Sequence, residues 1–392
     1  MYSAVVIGSP MTSEVRSLKA FGESTRKARA DLRKLLRAHE GTQASPAYRR
    51  PTAHENGSDV MRNVQPNGND TAVLIRSEAE SELAVATAPT LPAGKVARLS
   101  PALKAFAGSM RVLDRIAPRL TTELMFKHFV RPRRRRHSDY RSCLPAGAQR
   151  LAIEHRGRAL TGWSWGEDGP AVLLVHGWED HCGAMLSLVQ PLRERGYRVF
   201  ALDAPGHGLS PDMETHLLDT GDALAALMSQ VGRFQAIIAH SYGAAATATL
   251  LARQPQWMPD HLTLVSPMQD IRQHLAIFAG IAGLSLAGWN RLQHRVQDAL
   301  GQPLDDISTL RAAEHLNTPG LIVHDREDPL IPYAISARVA ERWRNAELLA
   351  TQGLGHRRTL GCPDVVGAIL TRMESCLRPS PAQQGSVSRN PA

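Results

Sequence analysis

The chain has 392 residues, of which 43% are hydrophobic, and a formal charge of +9. That hydrophobic content excludes a wholly disordered chain, and the length accommodates one large domain or two ordinary ones with appendages. The charge is unevenly spread: residues 1–150 carry 26 Lys/Arg against 13 Asp/Glu, whereas residues 151–392 carry 20 against 24, so the basic character belongs to the first part alone.

Residues 1–100 read as a basic, largely disordered leader. The opening Met1-Tyr2-Ser3-Ala4-Val5-Val6-Ile7 has no basic residue before its short apolar run, which makes a poor signal peptide. A basic stretch from Ser13 to Glu40, with Arg26, Lys27, Arg29, Arg33, Lys34 and Arg37, is a candidate solvated helix or a contact for an acidic surface or membrane. Residues 41–75 are rich in Asn, Gly, Pro and Ser, and residues 76–100 show no clear period, so both read as linker.

Residues 101–147 read as a helical segment followed by an arginine-rich linker. Ala105, Met110, Leu113, Ile116 and Leu120 follow one helical face, which Pro118 is expected to kink or restart. The run Arg131-Pro132-Arg133-Arg134-Arg135-Arg136 reads as a solvated linker, with phosphates or lipid headgroups as alternative contacts. It has no interleaved aromatic residues, so no specific nucleic-acid partner is expected.

Residues 148–376 alternate short apolar runs with longer helical patterns. Ala148–Glu154 and Arg158–Trp165 predict an opening hairpin. Ala171–Val175, Tyr197–Leu202, Ala236–Ala239, Leu262–Val265, Leu321–Val323 and a weaker Glu347–Ala350 predict further strands. Helices are expected near 183–195, 214–231, 241–253, 333–343 and 362–376. Strands without strict alternation, separated by helices, imply a mostly parallel sheet covered on both faces, with its site at the carboxyl ends of the strands. Residues 377–392 read as a disordered tail. The run Leu275–Trp289 is too short to span a bilayer and reads as a buried helix, with a lid lining an acyl pocket or an interfacial lipid contact as alternatives.

The chemistry centres on Ala239-His240-Ser241-Tyr242-Gly243, which follows an apolar strand and precedes Ala244-Ala245-Ala246-Thr247-Ala248. A nucleophilic serine on a tight strand–turn–helix needs small neighbours, and the usual form is Gly-x-Ser-x-Gly; here Ala239 stands at the first glycine. His176-Gly177-Trp178 ends an earlier strand, so the N–H groups of Trp178 and Tyr242 are candidates for an oxyanion hole. Asp203-Ala204-Pro205-Gly206-His207-Gly208-Leu209-Ser210 reads as a tight structural loop, with His207 a structural residue. Downstream, His324-Asp325-Arg326-Glu327-Asp328-Pro329-Leu330-Ile331-Pro332 and Gly353-Leu354-Gly355-His356 supply an acid and a base. A serine needs a neutral imidazole to take its proton, and the imidazole needs a carboxylate to fix its tautomer. His356 fits the base and Asp328 the acid, with Asp325 as rival and Glu327 as a third candidate. Cys182 reads as a small packed side chain. Cys143, Cys182, Cys362 and Cys376 show no CxxC pair and no zinc-ligand spacing, which argues against a disulfide scaffold or metal site and predicts a reducing, cytoplasmic setting.

Taken together, residues 148–376 resemble the alpha/beta-hydrolase superfamily. The His-Gly loop, the Asp-x-Pro-Gly-His-Gly-x-Ser segment, the serine elbow and the late Asp and His occur in family order. The resemblance implies an eight-stranded, mostly parallel sheet with an antiparallel second strand, helices on both faces, and a helical cap formed by the insertion at 267–316. It also implies a serine hydrolase without cofactor, cleaving a carboxylic ester or thioester through Ser241, His356 and Asp328, on a small to medium hydrophobic substrate. Acyl transfer on the same scaffold and a non-catalytic binding protein are the alternatives. The sequence does not specify the oligomeric state.

Overall fold

The computed structural model describes residues 101–132, 140–211 and 213–377. The expected leader with its basic stretch at 13–40, residues 133–136 of the arginine run and the tail from 378 lie outside the described residues.

The chain divides into two compact units. The described part of the first comprises residues 101–118 and Ala279–Trp289. Helix α1 (Pro101–Ile116) belongs to it. The face expected from the sequence is not the buried one: Met110 is buried, but so are Phe106, Ala107 and Asp114, while Ala105, Ile116 and Leu120 are exposed. The buried carboxylate Asp114 outweighs the apolar spacing, because it accepts the Ser285 hydroxyl and backbone N–H. Ser285 Oγ accepts in turn from the Gly288 N–H, three residues on, so it caps a new helix. The run Leu275–Trp289, expected as one helix, is therefore two. Gly283, with φ 67° and close against Ala107, ends the first helix, and Ser285 starts the second.

The second unit holds the sheet. Helix α2 (Pro118–Val130) restarts at Pro118 as expected. The hairpin β1 (Gln149–His155) and β2 (Arg158–Trp165) turns through Arg156 and Gly157. The strands β3 (Ala171–Val175), β4 (Arg198–Leu202), β5 (Ala236–His240), β6 (His261–Val265), β7 (Gly320–Asp325) and β8 (Ala346–Thr351) complete an eight-stranded sheet in the order β1-β2-β4-β3-β5-β6-β7-β8. β2 runs antiparallel to both its neighbours, and every other pairing is parallel. This is the eight-stranded, mostly parallel sheet with an antiparallel second strand that the sequence resemblance implies.

Both faces of the sheet are buried, which is why its strands do not alternate. Leu173 and Val175 of β3, Ile237 and Ala239 of β5 and Ile322 of β7 join an apolar cluster with α4 (Leu217–Val231), α5 (Tyr242–Arg253) and Val339 and Trp343 near the end of a later helix. Their neighbours Val172, Leu174, Ala236, Ile238, Leu321 and Val323 join a second cluster, with Leu188, Val189 and Leu192 on one side and Ile369, Leu370 and Met373 on the other. Successive side chains point to opposite faces, so a sheet covered twice needs apolar residues at every position. The helix expected near 183–195 is mostly a 3-10 turn (Cys182–Leu188) that continues only as the short α3 (Val189–Arg193). Pro191 lacks an N–H and its ring collides with a carbonyl four residues back, which prevents a continuous α-helix through this stretch.

Between β6 and β7 the chain inserts α6 (Ile271–Ala282), α7 (Leu286–Leu300) and the short α8 (Thr309–Ala313), the helical cap region. Within the second unit, Phe129 of α2 packs on His274 and Phe278 of α6. The remaining helices are α9 (Tyr333–Arg342), α10 (Gly355–Arg358) and α11 (Pro363–Leu377). Among the described residues, no helix is long and apolar enough to cross a membrane.

Two stability predictions follow from buried side chains. Trp343 is fully buried and its Nε1–H donates to the Thr318 carbonyl at 3.0 Å. Trp343→Ala is expected to destabilise by about 3–5 kcal/mol in urea unfolding. His261 is also fully buried, and burial, with Arg372 nearby, pushes its pKa down from 6.5 to about 4. The unfolded chain therefore takes up a proton between these values that the folded chain does not, so stability falls as pH drops from 6.5 toward 4. His261→Leu should flatten that part of a stability-versus-pH curve.

Candidate active site

The sheet order reverses direction beside β3: the chain passes from β3 to β4 on one side and returns to place β5 on the other. A crevice forms at such a switch point, outside the carboxyl ends of the strands. His176-Gly177-Trp178 leaves β3 there, and Ser241 leaves β5.

Ser241 stands between β5 and α5 with φ 55° and ψ −118°, a conformation that L-residues rarely adopt. Its N–H donates to the Val265 carbonyl at 2.9 Å, and its own carbonyl accepts from Ala245 and Met268. Gly243 admits the turn: a Cβ there would run into the His176 carbonyl. Ala239 is paired with Val175 and Leu264 and fully buried, in the apolar cluster that also holds Ala244 and Ala248. Its methyl group is accommodated beside these small side chains.

His356 lies on α10, directly after the loop from β8. Its Nε2 is 3.0 Å from Ser241 Oγ and its Nδ1 is 2.7 Å from Asp328 Oδ2. The carboxylate can only accept, so Nδ1 carries the proton and Nε2 is left to accept from the serine hydroxyl. The structure thus brings Ser241, His356 and Asp328 into one chain of hydrogen bonds. Asp328 Oδ1 accepts from the Leu330 and Ile331 N–H groups. Burial pushes the Asp328 pKa up, but hydrogen bonds from His324 and His356 and the Ile331 amide pull it further down, so the group stays ionised well below the usual carboxylate range.

Asp325 and Glu327 go elsewhere. Asp325 accepts from the Glu327 N–H, the Thr351 hydroxyl and the Leu354 N–H, and so clamps the loop that carries His356. Glu327 accepts from Gln352 at the surface. Asp203 is fully buried and holds its own loop, accepting from Tyr140, Cys182 N–H and Leu209 N–H. Cys182 is a buried thiol whose pKa is pushed up by burial and by Asp203. His207 is buried with Nδ1 on the Pro205 carbonyl and its ring edge-on to Trp178.

The loop after β3 is fixed by its histidine. His176 Nε2 accepts from the Ala204 N–H at 3.0 Å, so Nδ1 carries the proton and donates to the Gly177 carbonyl at 2.8 Å. The Asp180 N–H donates to that carbonyl too, closing a turn with Glu179 at φ 55°. A trans peptide is planar, so the Trp178 N–H points away from the Gly177 carbonyl that these two donors hold. Gly177 lies directly against Ser241: a Cβ on it would be 3.3 Å from Ser241 Cβ. The Tyr242 N–H is the first of α5, where helical amides have no partner within the helix. The Trp178 ring packs edge-on against Tyr242 and His274, which walls this end of the site with aromatic surface.

Two buried histidines that the sequence did not single out complete the surroundings. His240, beside the serine in sequence, has its Nε2 3.0 Å from the His356 carbonyl, so its Nε2–H donates there. Burial, with His356 adjacent, pushes its pKa down from 6.5 to about 3, and it stays neutral. His324, on β7, is fully buried, with its Nε2 3.3 Å from Asp328 Oδ2. A histidine inside an apolar strand carries no sequence signal beyond its type.

Comparison with known proteins gives concordant matches. The family model described as serine aminopeptidase, S33, matches residues 167–311. A pimeloyl-[acyl-carrier protein] methyl ester esterase of Xanthomonas campestris is 26% identical over 246 residues, covering 53% of this chain and 96% of that protein. A serine hydrolase-like protein of Dictyostelium discoideum is 30% identical over 128 residues, covering 29% of this chain and 34% of that protein. Among solved structures, a bacterial membrane phospholipase A matches with a TM-score of 0.49 and 16% identity, over 70% of this chain and all of that one.

The elbow yields a direct prediction. Gly243→Ala should destabilise the fold by about 1–3 kcal/mol, because backbone rather than a flexible side chain must move to admit the methyl group. Thermal unfolding of the variant measures this.

Proposed function

We propose that this chain is a serine hydrolase of the alpha/beta-hydrolase superfamily that cleaves a carboxylic ester or thioester through an acyl-enzyme on Ser241. The observation that supports this most is the continuous hydrogen-bonded path from Ser241 Oγ through His356 to Asp328. In the proposed reaction Ser241 Oγ attacks the carbonyl carbon as His356 Nε2 takes its proton. Asp328 holds the imidazole in the required tautomer and stabilises it once protonated. The N–H groups of Trp178 and Tyr242 receive the oxyanion, and charge develops on that oxygen only at the tetrahedral stage, so their contribution falls on the barrier. His356 returns its proton to the leaving alcohol or thiol, then activates water to release the acid. The hydrolase domain we assign to residues 148–376, with the cap at 267–316.

The substrate class follows from the wall of the site and from one relative. Trp178, backed by Tyr242 and His274, offers aromatic surface beside Ser241, which suits a small to medium hydrophobic acyl group. The Xanthomonas relative is a methyl ester esterase, in keeping with a carboxylic ester. The four cysteines are unpaired thiols, Cys143 exposed, which fits the reducing cytoplasmic setting in which we place the protein.

A fluorophosphonate probe should label the folded protein at Ser241, and the protein should turn over short p-nitrophenyl esters. Ser241→Ala should abolish labelling and lower turnover by about 10³-fold or more. Asp328→Asn, which keeps the shape but not the tautomer control, should lower kcat by about 10³–10⁴-fold. A folded sample that resists labelling would overturn the reading. A chain-length series of esters and acyl-thioesters then locates the optimum acyl group.

A further inference from the structure

We propose that His324 is a positioning residue for Asp328, holding the acid of the Ser241–His356–Asp328 path in place as a second imidazole beside its Oδ2; this rests on the hydrolytic reading above.

His324 is the fifth residue of β7 and fully buried. Its Nδ1 is 2.6 Å from Ser336 Oγ on α9. Its Nε2 is 3.0 Å from the Ile331 carbonyl and 3.3 Å from Asp328 Oδ2. Both neighbours of Nε2 can only accept, so Nε2 carries a proton whatever the charge of the ring. In the neutral ring Nδ1 is then an acceptor, which the Ser336 hydroxyl satisfies. Both ring nitrogens of His324 thus have partners: Nδ1 ties the ring to α9, and Nε2 faces the acid loop.

The same carboxylate oxygen, Asp328 Oδ2, has His356 Nδ1 at 2.7 Å and, within ion-pair distance, His324 Nε2 at 3.3 Å, whose N–H is hydrogen-bonded to the Ile331 carbonyl. His324 also holds the carbonyl of Ile331, whose N–H donates to Asp328 Oδ1. It therefore fixes the carboxylate directly and through the turn that carries it. A buried carboxylate with one imidazole partner could rotate or shift by a few tenths of an ångström. With His324 in place, Oδ2 is confined where it must be to orient His356.

The arrangement has an electrostatic consequence with a fixed sign. A carboxylate with the positive end of the His324 N–H 3.3 Å away offers less of its charge to His356. Removing the His324 N–H leaves more negative charge on the His356 side, stabilises the imidazolium, and moves the acid limb of the rate profile to higher pH. A positive charge on His324 would act in the opposite direction to its removal. The other titratable groups around the pair are His240 from β5, Asp325 at the end of β7, Tyr333 from α9, and Arg357 paired with Asp180. None of them changes in the variants below.

The test compares His324→Leu, His324→Gln and Ser336→Ala with the unaltered chain, using the second-order rate of fluorophosphonate labelling at Ser241 across pH. His324→Leu removes the donor at similar volume. The labelling rate per folded molecule is expected to fall about tenfold or more, a hydrogen bond to a charged group being involved, with the acid limb shifted upward. The Gln amide reaches the place of Nε2, so His324→Gln is expected to recover most of the rate and return the limb. Ser336→Ala frees the ring at Nδ1 without touching Asp328, and is expected to slow labelling several-fold in the same direction; it carries the test if His324→Leu fails to fold. Folded variants that label at the original rate with an unmoved limb overturn the proposal. So does an equal loss in His324→Leu and His324→Gln with no movement of the limb, which would mark a packing role alone. Absence of labelling in the unaltered, folded chain is a different result, and overturns the hydrolytic reading itself.

Discussion

Ser241 is held at φ 55° by its neighbours on two strands and one helix, and the site is arranged around that conformation. A non-glycine residue there carries a strain of about 1–3 kcal/mol, which persists only if surrounding bonds enforce it. Here the Val265 carbonyl takes the Ser241 N–H, and the Ser241 carbonyl accepts from Ala245 and Met268. The turn also requires α5 to start immediately, and so requires the backbone at Gly243 to pass close to the His176 carbonyl. That closeness seats the loop after β3 against the serine. One strained residue thereby couples β3, β5, β6 and α5, and the position of the Trp178 and Tyr242 amides is a by-product of the same contact.

The histidines around this point divide the electrostatic work. His176 and His240 are tied by single-tautomer bonds to backbone groups, one to the Ala204 N–H and the Gly177 carbonyl, the other to the His356 carbonyl. Burial keeps His240 neutral down to about pH 3, so it adds no charge beside the base. Asp328, by contrast, receives donors on both oxygens and stays charged despite burial. Neutral histidines as braces and one stabilised carboxylate leave His356, bonded at Nδ1 to Asp328, as the imidazole whose Nε2 faces the serine hydroxyl.

The sheet was legible in the sequence because double burial writes itself into composition: runs such as Ala171–Val175 and Ala236–His240 are apolar throughout. Ser241, Asp328 and His356 stand out as candidates in the sequence because each follows a strand end that glycines and prolines punctuate, and the structure brings the three together. What the sequence did not reveal depends on partners distant in the chain. The α1 face was misread because buried Asp114 answers to Ser285, 171 residues away. The break between α6 and α7 did carry a local signal, Gly283 followed by Ser285, but the uniformly apolar surroundings masked it. His324 had none, since a strand histidine looks the same whether it packs in a core or faces a carboxylate.

The acid loop shows how two carboxylates three residues apart take different tasks from the same strand end. Asp325 is the last residue of β7, still in register with Thr351 of β8, so its side chain meets the Thr351 hydroxyl and the Leu354 amide that follow β8. It is thereby committed to the loop that carries His356. Asp328 has left the sheet, and its Oδ1 is used up in closing the turn onto Leu330 and Ile331, which leaves Oδ2 for the imidazole. The first carboxylate sets where the loop carrying His356 lies, and the second meets the His356 ring. Strand register therefore gives each of the two carboxylates its own set of donors, and it is Asp328 that lies against His356.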